Sequence, residues 1–207
     1  MKRKRFLTAI FSTGLIFATA LTGCVSNRSG GKTELAQWAG TWNAMTNVLD
    51  DPGLNKTFVE GAAYIQYVHS KTITADGLKQ VFAPMLRTDF KSCKIEGDTF
   101  TVYTETDLQG TATHITYTYK GESEGWHRFE GNQSGRYKYL AAYLPERDST
   151  GNTAEHFHFR YGADGFDALE ANPSWMATVM LKGTTIAQLA ASLKEVIREL
   201  PWDLMLP

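Results

Sequence analysis

The second half of the chain alternates with a period of two, and that pattern constrains the fold more than any other. Phe100, Val102 and Thr104 alternate with Thr101 and Tyr103. Ile115, Tyr117 and Tyr119 alternate with His114, Thr116 and Thr118. Tyr137, Tyr139, Ala141 and Tyr143 fall on one face of a third run, and Phe157, Phe159 and Tyr161 on one face of a fourth. Successive strand side chains point to opposite sides, so runs rich in Tyr, Phe, Thr and Val with this spacing predict β-strands. Turn-forming stretches punctuate them at Glu96-Gly97-Asp98, Gly121–Gly125, Gly131–Gly135, Asp148–Asn152 and Gly162–Gly165. Short strands this close together predict an antiparallel meander or small barrel.

Helical spacing flanks the strands. Leu35, Trp38 and Trp42, behind Thr33 as N-cap, predict a first amphipathic helix. After the turn Asp50–Gly53, residues Leu54, Phe58, Val59 and Ala62 predict a second. Ala75-Asp76 opens a third, with Leu78, Val81, Phe82 and Met85 on its face and Pro84 as a bend or stop. Thr184 or Thr185 caps a last helix with Ile186, Leu189, Leu193 and Ile197 buried. Helices, then strands, then a closing helix make the class α+β.

The first residues carry an address. Lys2, Arg3, Lys4 and Arg5 precede an uncharged, mostly apolar stretch from Phe6 to Ala20, and Leu21-Thr22-Gly23-Cys24 follows. A basic region, a short apolar core and small residues in that order predict a secretory signal over 1–23. The apolar stretch falls short of the roughly 20 residues a membrane-spanning helix needs. Leu-Thr-Gly-Cys resembles the bacterial lipobox, so Cys24 is expected to carry lipid and residues 24–32 to form a flexible tether. The expected location is the cell envelope, on a membrane facing the periplasm or cell exterior. Four of the 21 Lys+Arg lie in the basic region, leaving 17 against 22 Asp+Glu and a charge of about −5, which argues against nucleic acid as a partner. With Cys24 acylated, Cys93 has no disulfide partner and is expected in the core.

Little in the chain points to catalysis, and no enzyme activity is expected. Gly121-Glu122-Ser123-Glu124-Gly125 matches a nucleophile motif in letters only, since it lies between two predicted strands and reads as a hairpin. Phosphate loops and Cys-x-x-Cys pairs are absent. The five histidines say more. His156 and His158, two apart on a strand, point to the same side and can meet one ion, with Phe157 turned away. Two imidazoles are half a site, because zinc needs three or four protein donors. His114 reads as part of a solvated face, His69 as a helix-end residue, and His127 as free to face either way. Glu155 and Asp148 read first as solvated loop carboxylates.

The chain resembles the ZinT family of periplasmic zinc-binding proteins, whose domain also forms the C-terminal part of AdcA-type zinc-uptake lipoproteins. The residues that carry the resemblance begin with Trp38-Ala39-Gly40-Thr41-Trp42 and Asp51-Pro52. Thr88-Asp89 with Ile95-Glu96-Gly97, Phe129-Glu130 and Tyr137-Lys138-Tyr139 continue it. His156-Phe157-His158 through Gly162, and Leu169 to Trp175, complete it. The resemblance implies a lipocalin-like (calycin) barrel flanked by helices over 33–207. It also implies binding of zinc or another divalent metal through His156 and His158, in support of a metal-transport system. The family's third histidine has no counterpart here: Ala142-Tyr143-Leu144-Pro145 fills that stretch. Asp148, Glu146, Glu155, His114 and His127 are the candidate replacements. Two other readings stay open: a barrel holding another small ligand with a degenerate metal site, and a lipoprotein docking a partner through an apolar patch near Trp175 and Trp202.

Overall fold

Eight antiparallel strands pair each with the next, and the first closes on the last. The structure is a computed structural model that describes residues 34–206. The strands are β1 (Gly40–Ala44), β2 (Ser92–Glu96), β3 (Thr99–Tyr103), β4 (Ala112–Ser123), β5 (Trp126–Gly131), β6 (Tyr139–Ala142), β7 (His156–Gly162) and β8 (Ala177–Leu181). Pairing of Trp42 with Leu181 and of Asn43 with Met180 closes the ring, so no sheet edge is left open. The chain thus forms a closed, lipocalin-like antiparallel β-barrel flanked by helices, as expected.

Side chains fill the barrel. Trp42, Phe100, Phe129, Phe157 and Phe159 are fully buried inside it, with Ile95, Ile115, Tyr117 and Val179 between them. A small barrel's interior is just wide enough for side chains to fill, and these large rings occupy it.

The helices form a second layer around a second core. They are α1 (Asn55–His69), α2 (Ala75–Leu86), α3 (Phe166–Glu170), α4 (Ile186–Glu199) and α5 (Trp202–Met205). Phe58, Ile65, Leu78, Phe82, Leu189, Leu193, Ile197 and Trp202 pack together against Met180 on the outward side of β8. The last long helix starts as predicted: Thr185 and Gln188 form a reciprocal capping box. Thr74 caps α2 by accepting from the Gly77 N–H, and α2 runs two residues past Pro84, whose ring lies exposed. On α1 the buried stripe is Phe58, Ala62 and Ile65, at i, i+4 and i+7. Val59 falls off that stripe and is 59% exposed, and Leu54 belongs to the preceding 3-10 turn, Pro52–Leu54.

The predicted first helix is corrected. Leu35 and Trp38 do share a buried face, but only through a 3-10 turn over Glu34–Trp38, and Trp42 belongs to β1. Gly40 separates the two: a Cβ there would lie 3.1 Å from the Trp42 indole nitrogen. The Trp42 N–H then donates to the Trp38 carbonyl at 3.0 Å, and its ring meets Phe157 edge-on at 4.9 Å. Thr33, the expected cap, lies outside the described residues.

Two further expectations change. Tyr139, Ala141 and Tyr143 share the outer face of the sheet with Trp126, whereas Tyr137 precedes β6 and packs against the interior beside Tyr161. Trp202 itself offers no exposed apolar surface: that side chain is wholly buried, and its indole N–H donates to the Ile197 carbonyl at 2.6 Å. Trp175 is partly buried and donates to the Arg87 carbonyl.

Trp42 joins the entry turn, the barrel interior and β7, so its removal tests the packing. Trp42→Ala should cost about 3–5 kcal/mol, as large-to-small changes at full burial do. Urea denaturation measures this, and a loss below about 1 kcal/mol would contradict the packing described.

Candidate metal centre

Strand β7 is covered on both sides. Its odd residues Phe157, Phe159 and Tyr161 point into the barrel, and the even ones His156, His158 and Arg160 point outward. The outward face is not wet: His156 is 7% and Arg160 5% exposed, and the His158 side chain 16%. The expected opposition of Phe157 and the histidine pair is found, but on a buried surface.

Hydrogen bonds set the protonation of both rings. His156 Nδ1 lies 2.8 Å from the Ala154 carbonyl oxygen, which can only accept, so Nδ1 carries the proton. His158 Nδ1 lies 2.8 Å from Thr178 Oγ1. The one hydroxyl proton of Thr178 goes to the Met176 carbonyl at 2.8 Å, so Thr178 must accept from His158. Each neutral ring therefore presents a bare Nε2. The rings stand 5.0 Å apart, nearly perpendicular.

Both Nε2 atoms face the carboxylate of Glu146. The backbones of Glu146 and His156 form an isolated antiparallel bridge just beyond the end of β6. Glu146 Oε2 lies 3.6 Å from His156 Nε2 and Oε1 4.0 Å from His158 Nε2. One atom from each of the three residues lies within 4.8 Å of the others. Burial, and then the neighbouring His156, lowers the His158 pKa to about 3, so this ring stays neutral near pH 7. With both rings neutral and Glu146 ionised, three acceptors converge with no proton between them. Such an arrangement is relieved by a cation at its centre, or by protonation of an imidazole.

The other candidate ligands have different occupations. Asp148 accepts from the backbone N–H groups of Thr150, Asn152 and Thr153 and from two threonine hydroxyls. Those bonds, the Thr150 hydroxyl first, hold its carboxyl well below the usual range and tie it to its own loop. Glu155 is not among the three grouped residues. His114 is exposed on β4 and bonds Thr101 at 3.0 Å. His127 meets Trp38 edge-on at 5.1 Å and lies 3.8 Å from Glu122. His69, last residue of α1, lies 3.4 Å from Asp203.

The remaining motifs fall where their context placed them. Gly121–Ser123 end β4, and Glu124 (φ 51°) and Gly125 (φ 82°) turn the hairpin into β5. Cys93 is fully buried in the barrel and burial raises its thiol pKa. Cys24 lies outside the described residues. Thr178 was not foreseen, since it sits on β8, whose burial on both faces erases any alternation.

Residues 18–192 match the family described as ZinT (YodA) periplasmic lipocalin-like zinc-recruitment. No curated protein matches in sequence. Among solved structures, the Zn(II)-bound ZinT-like domain of Streptococcus pneumoniae AdcA aligns with 83% of this chain and 96% of its own, at 19% identity and a TM-score of 0.58. Zn(II)-bound AdcA from the same organism aligns with 87% of this chain at 18% identity and a TM-score of 0.58. This chain spans 40% of that longer protein.

Burial of His158 has a pH signature. Its unfolded pKa is near 6.5 and its folded value about 3, so protonation favours the unfolded chain. The stability is whole above about pH 6.5 and falls as pH drops toward 3. For the metal-free protein, moving to pH 5 should cost about 2 kcal/mol through this group. Thermal unfolding of wild type and His158→Gln from pH 7.5 to 5 measures the difference. Equal slopes in both would contradict the burial.

Proposed function

The chain belongs to the ZinT family of periplasmic lipocalin-like zinc-recruitment proteins, and on that premise we propose that it is a lipid-anchored envelope protein that holds a zinc ion between His156, His158 and Glu146 in support of metal uptake. One observation carries this reading: two imidazole Nε2 lone pairs and a carboxylate converge, with both Nδ1 atoms engaged elsewhere. Zinc accepts such nitrogen and oxygen donors, and a set of three leaves a fourth position for water or an incoming ligand. In this reading Glu146 replaces the third histidine of the family. Another divalent metal remains compatible with the same donors.

The three ligands divide the work of capture. His156 and His158 are fixed by the Ala154 carbonyl and by Thr178, so little ordering remains to be done on binding. His158 needs no deprotonation at neutral pH, which removes one competing proton. Glu146, 66% exposed, is the ligand that solvent and a transport partner reach first. The activity assigned is recruitment and delivery rather than turnover. Residues 1–23 are read as a signal, Cys24 as the lipid attachment and 25–32 as a tether to the domain from Thr33 on.

A calorimetric zinc titration of the metal-stripped protein should show one tight site. His156→Ala/His158→Ala should abolish it, and Glu146→Gln should weaken it at least tenfold, with Glu155→Gln without effect. Thr178→Val should weaken binding by about 10–100-fold, as loss of a ligand's hydrogen-bond partner does, and Thr178→Ser should restore most of it. Binding that survives the double histidine change would overturn the site.

The anchor has its own test. Cys24→Ser should move the protein from the membrane fraction to the soluble fraction of the cell envelope. Retention on the membrane after that change would refute lipid attachment at Cys24.

A further inference from the structure

A cavity of about 500 Å³ lies at the rim of the barrel, lined by Arg87, Thr88, Asp89, Arg136, Tyr161 and Trp175 and by neither histidine of the pair. Tyr161 is three residues beyond His158 on β7 and faces the other side of the sheet. The volume suits a small molecule.

Hydrogen-bond accounting gives the chemistry. Asp89 Oδ1 accepts from the Tyr137 and Tyr161 hydroxyls, each at 2.7 Å, and Oδ2 pairs with Arg136. Burial first, and then Asp89, raises both phenol pKa values, so they remain protonated donors. The Thr88 hydroxyl donates to the Phe90 carbonyl at 2.6 Å, and the Trp175 N–H to the Arg87 carbonyl at 2.8 Å. The neutral donors and the carboxylate are thus committed within the protein.

What remains is cationic. A guanidinium has five N–H donors, and Arg136 uses one of them on Asp89. Arg87 is exposed and, among the described residues, pairs with no carboxylate. Two arginines against one aspartate leave a net charge of +1. Beside them stands an apolar wall, with the Trp175 and Tyr161 rings edge-to-face at 5.1 Å.

The geometry points to a second binding site, for a small organic monoanion: a carboxylate held by Arg87 and Arg136, with a flat apolar body against Trp175 and Tyr161. A planar carboxylate matches the guanidinium fork. A compact dianion such as phosphate would leave the aromatic wall unused and set more negative charge beside Asp89.

Benzoate and inorganic phosphate separate the alternatives. In titrations of the protein followed by the NMR signal of the Trp175 indole N–H, benzoate should saturate one site with a Kd of about 1 mM or tighter. Arg87→Gln, at an exposed position that the fold does not need, should weaken it at least tenfold. His156→Ala/His158→Ala should leave it unchanged, so the result stands or falls independently of zinc. Absence of saturation, equal affinity in Arg87→Gln, phosphate binding as tight as benzoate, or loss in the double histidine variant would each overturn the proposal.

Discussion

Burial of β7 on both faces is the constraint on which the rest depends. Inward, Phe157, Phe159 and Tyr161 join the stacked and edge-on aromatic rings that fill the barrel. Outward, the strand carries two histidines and an arginine into a space with little water, where polar groups must find partners. Arg160 finds them in the carbonyls of Trp175, Leu169 and Glu170 and in the face of Trp126, 4.6 Å away. It thereby holds α3 and the approach to β8 against the sheet. His156 and His158 satisfy only one nitrogen each in this way. Covering the strand fixes their rings through Nδ1 and leaves each Nε2 facing Glu146.

The position of Glu146 follows from the same strand. The segment after β6 keeps one more bond to β7, from the Tyr143 N–H to the His158 carbonyl, and meets it again in the bridge between Glu146 and His156. That bridge sets a carboxylate facing the two imidazoles. Asp148, two residues on, is spent on its own loop, which Gln188 of α4 anchors through the Gly151 carbonyl. A rigid loop on one side and β6 on the other leave Glu146 to face the histidines.

Sequence periodicity reports a strand only where one face is wet. β3 and β4 meet that condition at least in part, with Phe100, Ile115 and Tyr117 inside and His114, Thr116 and Thr118 exposed, and their alternation was legible. β8 is buried at four of its five positions and β2 buries Ser92 beside Cys93, so neither alternates. β1 was misread because Leu35, Trp38 and Trp42 keep helical spacing across a glycine that ends the turn. The histidine pair was legible from its spacing. The carboxylate beside it is not legible, because Glu146 is one of five candidates and only the register of one bridge brings it to the pair. Thr178 carries no local signal, since a buried strand threonine looks like any other.

A crystal structure of the zinc-loaded protein decides whether Glu146 completes the proposed site. One zinc ion is expected about 2.0–2.2 Å from His156 Nε2, His158 Nε2 and a Glu146 oxygen, with water or another ligand in the fourth position. Zinc bound through the Nδ1 atoms, or held by the two histidines with Glu146 turned to solvent, would contradict it.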